Sequence, residues 1–135
     1  MVIPRFVRQA LRNEPLTVYG DGNQTRTFTY VKDVVWALTR LIEKETAFGQ
    51  VYNVGGIEEI SILDLAQRII KATDSSSKIQ FIPYEKAFGK DFEDMQRRVP
   101  SIEKINNLIG FNPQTYLNGI LEEIIDHMRN TDKSI

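Results

Sequence analysis

The chain has 135 residues, 41% of them hydrophobic and 26% charged, with a formal net charge of −1 at pH 7 and no cysteine. That composition is globular, and a domain of this length buries roughly two-thirds of its unfolded surface, enough for a core without disulfides or metals. It excludes thiolate metal sites, thiol nucleophiles and a strongly basic nucleic-acid surface, and no apolar stretch approaches the ~20 residues that span a bilayer. A cytoplasmic protein with no nucleic-acid or membrane partner is expected.

Taken in chain order, the first expected element is a helix with Pro4 at its first position and Phe6, Val7, Ala10 and Leu11 on one face. An element that opens so abruptly, with no leader, suggests that Met1 lies inside a longer protein. A β-rich run follows at Leu16 to Tyr19 and another at Thr25 to Tyr30. The next helix carries Val34, Val35, Leu38, Leu41 and Ile42 as its apolar stripe, and Val51 to Val54 reads as a third strand.

Ser61 announces a further helix: it is placed to cap, with Asp64 three residues on and Ile62, Leu65, Ala66, Ile69 and Ile70 behind it. Ile79 to Ile82 is a fourth β-run. The stretch from Tyr84 to Pro100 reads as one long irregular loop, a length that compact domains rarely keep without a use. A short helix is expected from a Ser101 cap to just before Gly110, with Pro113 barring its continuation. Leu117, Ile120, Leu121, Ile124, Ile125 and Met128 mark the last helix. The expected fold is mixed α/β over a single domain, residues 1–135.

The strand entering Gly20-Asp21-Gly22 invites a dinucleotide-binding reading, which fails on two counts. The third glycine of that fingerprint would fall on Thr25, and the following segment alternates like a strand instead of opening a helix that could hold a pyrophosphate. Local physics gives a β-turn-β unit with glycines for positive φ. Arg26, just after the turn, is by spacing alone most simply a surface charge, with a phosphate role as the alternative. Arg97 and Arg98 repel each other unless an anion or carboxylate lies near, and the plainest partners are Glu93 and Asp94.

The remaining candidates carry less. Gly55 and Gly56 beside Asn53 permit a tight exit from a strand. His127, the one histidine, suits a helix C-terminus better than catalysis, and no serine or cysteine triad can be assembled. Asp91, Glu93 and Asp94 lack the histidine or glycine framework of a cation site, so no metal is expected.

Two segments resemble the extended short-chain dehydrogenase/reductase family of nucleotide-sugar enzymes. One runs from Ile3-Pro4-Arg5-Phe6-Val7 through Gly20-Asp21-Gly22-Asn23-Gln24-Thr25-Arg26 to Asp33; the other is Tyr52-Asn53-Val54-Gly55-Gly56 with the Ser61 helix. With Gly110-Phe111-Asn112-Pro113, the resemblance covers nearly the whole chain. Phe88 to Ile102 is similar to the UDP-glucuronate decarboxylase branch, with the UDP-glucose 4-epimerase branch close behind.

The resemblance implies an N-terminal Rossmann domain holding NAD, which this chain lacks, and a C-terminal part that binds the UDP-sugar. Leu16, Thr17, Val18 and Tyr19 would lie along the base, Arg26 would meet the diphosphate, and Gln24 would be among the substrate-binding residues. Arg98 would reach the phosphates or sugar and could assist a decarboxylation; Phe92 stands where some relatives carry tyrosine. The intact enzyme would be a homodimer that oxidises the sugar at C4 before decarboxylation, epimerisation or dehydration. The family's Tyr-x-x-x-Lys pair is missing, because the residues four after Tyr19, Tyr30, Tyr52, Tyr84 and Tyr116 are Asn23, Val34, Gly56, Phe88 and Ile120. The chain alone is therefore expected to be inactive, with no catalytic or cofactor-binding residue of its own. The competing reading is a stand-alone nucleotide-sugar-binding module or an inactive fragment.

Overall fold

The computed structural model describes residues 1–89 and 94–131. It is a mixed α/β structure whose chain divides into two compact units. The first comprises Met1–Arg26, Ile60–Arg97 and Leu121–Ile135; the second comprises Thr27–Glu59 and Arg98–Ile120.

In the first unit, helix α1 (Val2–Leu11) buries Ile3, Phe6, Val7 and Ala10, a spacing of three and four that keeps one face on the core. Pro4 stands third in this helix, not first as the sequence suggested. The first turn tolerates it there because amides at those positions have no intrahelical acceptor. Strand β1 (Leu16–Tyr19) runs parallel to β4 (Ile79–Ile82), with Leu16 opposite Ile79 and Tyr19 opposite Ile82.

Helix α3 (Ile62–Thr73) buries Ile62, Leu65, Ala66, Ile69 and Thr73. Ser61 caps it as expected, its Oγ accepting from the Asp64 amide at 3.0 Å and donating to the Asp64 carboxylate at 2.7 Å. Asp74, left-handed at φ 54°, ends it. Strand β1 connects onward through the Gly20 to Asn23 turn to β2 (Thr25–Thr27), which lies between β3 (Glu59–Ser61) and β5 (Arg97–Arg98) in a three-stranded sheet. The expected long loop from Tyr84 thus begins as a short helix, α4 (Tyr84–Phe88), and ends in β5.

The second unit is built on α2 (Val31–Ile42) and α5 (Glu103–Ile109), around a core of Ala37, Ile105 and Phe111 with Leu41, Tyr52, Val54, Ile102 and Ile109 packed against it. Trp36 stacks on Phe111 with ring centroids 6.3 Å apart. The Asp33 carboxylate accepts from the amides of Gln114 and Thr115, each at 3.2 Å. Gly110 at φ 70° terminates α5 as its glycine predicts, but the residue preceding the helix is Ile102, not Ser101, and it makes no side-chain cap.

Two expectations fail in this unit. Val51 to Val54 forms no strand, and Val51 is 83% exposed. A β-run becomes a strand only when a partner completes its ladder. The stripe expected on α2 faces the core only in part: Leu41 packs there beside Ala37 and Val34 is half-buried, while Val35, Leu38 and Ile42 are exposed. This helix is apolar around much of its circumference, so periodicity alone does not select the buried side. The last helix, α6 (Leu117–Thr131), buries Leu117, Ile120, Leu121 and Ile125 as its spacing predicts.

Candidate functional site

The site is built on β1 and the turn that follows it. In a parallel strand the backbone groups of alternate residues point to opposite edges. Leu16 donates its amide to the Lys78 carbonyl at 2.8 Å and Gly20 donates to Ile82 at 2.9 Å, so these residues and Val18 face β4. Leu16 and Val18 also bury their side chains completely. Of the four strand residues singled out by sequence, only Thr17 and Tyr19 turn their backbone to the other edge and keep part of their side chains accessible.

That edge is held by side chains from α1 and the turn. Arg5 Nη2 donates to the Thr17 carbonyl at 3.1 Å, and the Thr17 amide donates to Gln9 Oε1 at 3.3 Å. Gln24 Nε2 donates to the Tyr19 carbonyl at 3.1 Å. The Arg5 guanidinium lies 4.6 Å from the Tyr19 ring centroid and 5.3 Å from that of Phe6, a cation held between two aromatic faces. Its Nε is buried without a hydrogen-bond partner among the described residues. The sequence reading missed Arg5 and Gln9, although their spacing of four on a helix puts them on one face.

The turn needs its glycines. Gly20 has φ 67° and Gly22 φ 78°, a region L-residues rarely adopt. A side chain at Gly20 would collide with the Tyr84 ring, and one at Gly22 would come within 2.9 Å of Val18 Cγ1 and 3.0 Å of Leu63 Cβ. Asp21 accepts from the Asn23 amide at 2.9 Å and from Asn23 Nδ2 at 2.8 Å. The backbone hydrogen bond from Asn23, then the side-chain one, holds the Asp21 carboxyl below its usual range.

Arg26 follows on β2. Its Nη1 donates to the carbonyls of Thr25 at 2.8 Å and Met95 at 2.7 Å, and its Nη2 pairs with Asp94 Oδ1 at 2.7 Å. The other carboxylate oxygen of Asp94 accepts from the Tyr84 hydroxyl at 2.9 Å. That hydroxyl accepts in turn from Gln24 Nε2 at 2.8 Å, and Gln24 is 5% exposed. Burial, followed by the hydrogen bond to Asp94, pushes the Tyr84 phenol up to about 12. Arg26 is neither a solvated charge nor buried beyond reach, with 18% of its side chain exposed.

Asp94, one of the two carboxylates that the sequence offers to Arg97 and Arg98, is bonded to Arg26. Arg98 lies on β5 in the second unit and is exposed. Phe92, with Asp91 and Glu93, lies outside the described residues. Gly55 and Gly56 serve packing: a side chain at Gly55 would strike the Pro100 ring, and one at Gly56 the Phe28 carbonyl. The Gly56 amide donates to Thr29 Oγ1 at 2.8 Å, and Asn53 Nδ2 to the Ser101 carbonyl at 3.2 Å. His127 is exposed on α6. Among the described residues no helix is long and apolar enough to cross a membrane, and no cluster of acidic residues and histidine could hold a metal.

The residues of the Gly20-Asp21-Gly22 turn do not fit a dinucleotide. The turn leads into β2 instead of a helix N-terminus, and the space a phosphate would need beside Gly20 is filled by Tyr84.

Comparison with known proteins bears on the same residues. The family model described as GDP-mannose 4,6 dehydratase matches residues 1–124. The UDP-N-acetyl-alpha-D-glucosaminuronate decarboxylase of Bacillus cytotoxicus is 41% identical over 131 residues, 97% of this chain and 40% of that protein. UDP-glucuronic acid decarboxylase 4 of Arabidopsis thaliana is 41% identical over 116 residues, 86% of this chain and 24% of that protein. Among solved structures, the UDP-glucuronic acid 4-epimerase of Bacillus cereus, in complex with UDP-glucuronic acid and NAD, superposes with a TM-score of 0.86 at 30% identity. The match covers 97% of this chain and 40% of that one. An epimerase of Methanothermobacter thermautotrophicus gives a TM-score of 0.89 at 27% identity, over 98% of this chain and 38% of that one. The chain therefore spans at most 40% of the length of these relatives. On sequence and fold together, the chain belongs to the GDP-mannose 4,6-dehydratase-like family of extended short-chain dehydrogenases/reductases.

Proposed function

We propose that this chain is a nucleotide-sugar-binding portion of an NAD-dependent nucleotide-sugar-modifying enzyme, and that Arg26 receives the diphosphate. The observation that carries the proposal is the Arg26 guanidinium itself. It is fixed by Asp94, Met95 and Thr25 on β2, beyond the turn that leaves a strand whose outer edge, at Thr17 and Tyr19, is lined by polar groups. A guanidinium offers several N–H donors in a planar fork that suits phosphate oxygens. Tyr19 presents an aromatic ring on which a base can stack, and Arg5 and Gln9, which take the Thr17 backbone groups, set polar side chains along the same edge. Arg98 joins the reading through the family resemblance, as a cation for the phosphates or the sugar.

Decarboxylation of a UDP-glucuronic acid-type sugar is the favoured reaction for the intact enzyme. The support is the 41% identity to two decarboxylases, against 30% to the epimerase. These 135 residues contain no Tyr-x-x-x-Lys pair, and the glycine turn does not suit a dinucleotide. Hydride chemistry and NAD binding accordingly belong to other parts of the intact enzyme, and the chain alone should bind without turnover.

Calorimetric titration with UDP and with uridine tests the diphosphate assignment. Charge-assisted hydrogen bonds contribute about 1.5–3 kcal/mol each, so UDP should bind at least tenfold more tightly than uridine. Arg26→Ala should remove most of that difference while leaving uridine affinity unchanged. Equal affinities for the two ligands in the unsubstituted chain would reject the assignment.

A further inference from the structure

Gln24, Tyr84 and Asp94 form a chain of side-chain hydrogen bonds ending on Arg26. Gln24 Nε2 donates both to the Tyr19 carbonyl and to the Tyr84 hydroxyl, at 3.1 and 2.8 Å. The Tyr84 hydroxyl donates to Asp94 Oδ2 at 2.9 Å, and Asp94 Oδ1 takes Arg26 Nη2 at 2.7 Å. Along these bonds each donor meets an acceptor, so the relay runs without conflict from Gln24 to Arg26. Gln24 is buried, and the Tyr84 ring is keyed over Gly20, where any side chain would collide with it. The relay therefore joins the edge of β1 at Tyr19 to the guanidinium on β2 through a ring packed against the Gly20 turn.

From this geometry we infer that Gln24, Tyr84 and Asp94 are positioning residues, which hold the Arg26 guanidinium in the orientation that receives a diphosphate. The inference rests on the diphosphate reading of Arg26 and deepens it. Arginine carries several freely rotating bonds, and fixing them before the ligand arrives removes an ordering penalty from binding. The two carbonyl contacts from Nη1, to Thr25 and Met95, fix one edge of the fork, and Asp94 fixes the other amine. A carboxylate near a diphosphate also repels it. The relay counters this by keeping both Asp94 oxygens engaged, one with Tyr84 and one with Arg26.

The sharpest variant is Tyr84→Phe, which removes the hydroxyl at the centre of the relay, changes no charge, and keeps the ring over Gly20. UDP and uridine are titrated against the full 135-residue chain, alone and carrying Tyr84→Phe, Arg26→Ala or both, with thermal unfolding recorded for each. Tyr84→Phe should lower the ratio of UDP to uridine affinity roughly three- to tenfold, with uridine affinity unchanged. In the Arg26→Ala background the same substitution should have no further effect, the non-additivity expected of residues acting through one group. Asp94→Asn should also lower the ratio.

Three results overturn the inference while leaving the diphosphate reading standing. One is a Tyr84→Phe chain that keeps the full ratio while Arg26→Ala loses it. The second is equal losses for UDP and uridine in both backgrounds, which would mean a general weakening of the fold. The third is tighter UDP binding in Asp94→Asn, which would make Asp94 a competitor for Arg26. An Arg26→Ala chain that keeps the ratio overturns the diphosphate reading and this inference with it.

Discussion

At the residue scale, Tyr84 departs from its ordinary chemistry. Burial and the Asp94 hydrogen bond raise its phenol from 10.0 to about 12. The folded chain therefore retains this proton at a pH where the unfolded chain has lost it, and ionisation in the unfolded state draws the equilibrium toward unfolding. The stabilisation is fully present below pH 10 and disappears as pH rises from about 10 to about 12. Denaturation midpoints measured across that window should fall for the unsubstituted chain and fall less steeply for Tyr84→Phe. Identical alkaline profiles would mean that Tyr84 titrates normally. The neighbours of Arg26 illustrate why such networks resist reading from sequence. The ion pair spans 68 positions, whereas Arg97 and Arg98 sit within a few residues of the same carboxylate and look like its natural partners. Sequence proximity points Asp94 at its neighbours and not at Arg26, because nothing in the spacing reveals that β2 and β5 lie side by side.

At the element scale, what was legible depended on whether an element carries its own determinants. Helix α3 does: a serine cap, an aspartate three residues on and a single apolar face define its start and its buried side. Ser61→Ala should therefore destabilise the chain by about 1 kcal/mol, measured by chemical denaturation; no change would show that the Asp64 amide finds another acceptor without loss. Strands β1 and β4 were legible at both ends because each is bounded by turn residues. Val51 to Val54 has the composition of a strand yet forms none, since a strand needs a ladder as well as a pattern. Helix α2 failed for a different reason. With Ala37 and Leu41 on one side and Val31, Val35, Leu38 and Ile42 on another, its sequence marks a helix clearly but leaves its orientation to the surroundings. The site divided in the same way. Arg26, Thr17 and Tyr19 were named as candidates through family resemblance, whereas Arg5, Gln9 and Tyr84 make contacts between elements that no local pattern records.

For the whole molecule, the exposed apolar residues of α2 have a direct consequence. Val31, Val35, Leu38 and Ile42 are 65%, 53%, 51% and 73% exposed and recur at spacings of four, three and four, so they line one face. Contiguous apolar surface of this kind tends to find a partner, and the chain spans only 40% of its decarboxylase relative in Bacillus cytotoxicus. Light scattering should show concentration-dependent self-association of the isolated chain. Leu38→Glu should reduce it without lowering the denaturation midpoint, because Leu38 is half exposed and contributes little to the core. A strictly monomeric chain at high concentration would show that this face needs no cover.

The central claim is that Arg26, held after β1, receives the diphosphate of a nucleotide sugar. Nuclear magnetic resonance on the labelled chain, titrated with UDP-glucuronic acid, tests it most directly by following the Arg26 Nε–Hε signal together with the backbone amides of Thr17 to Tyr19. The account predicts saturable shifts at Arg26 and along the strand, with the Arg26 shift absent when uridine replaces the nucleotide sugar. Saturable shifts confined to other residues, or an unmoved Arg26 signal with the ligand in large excess, would contradict it.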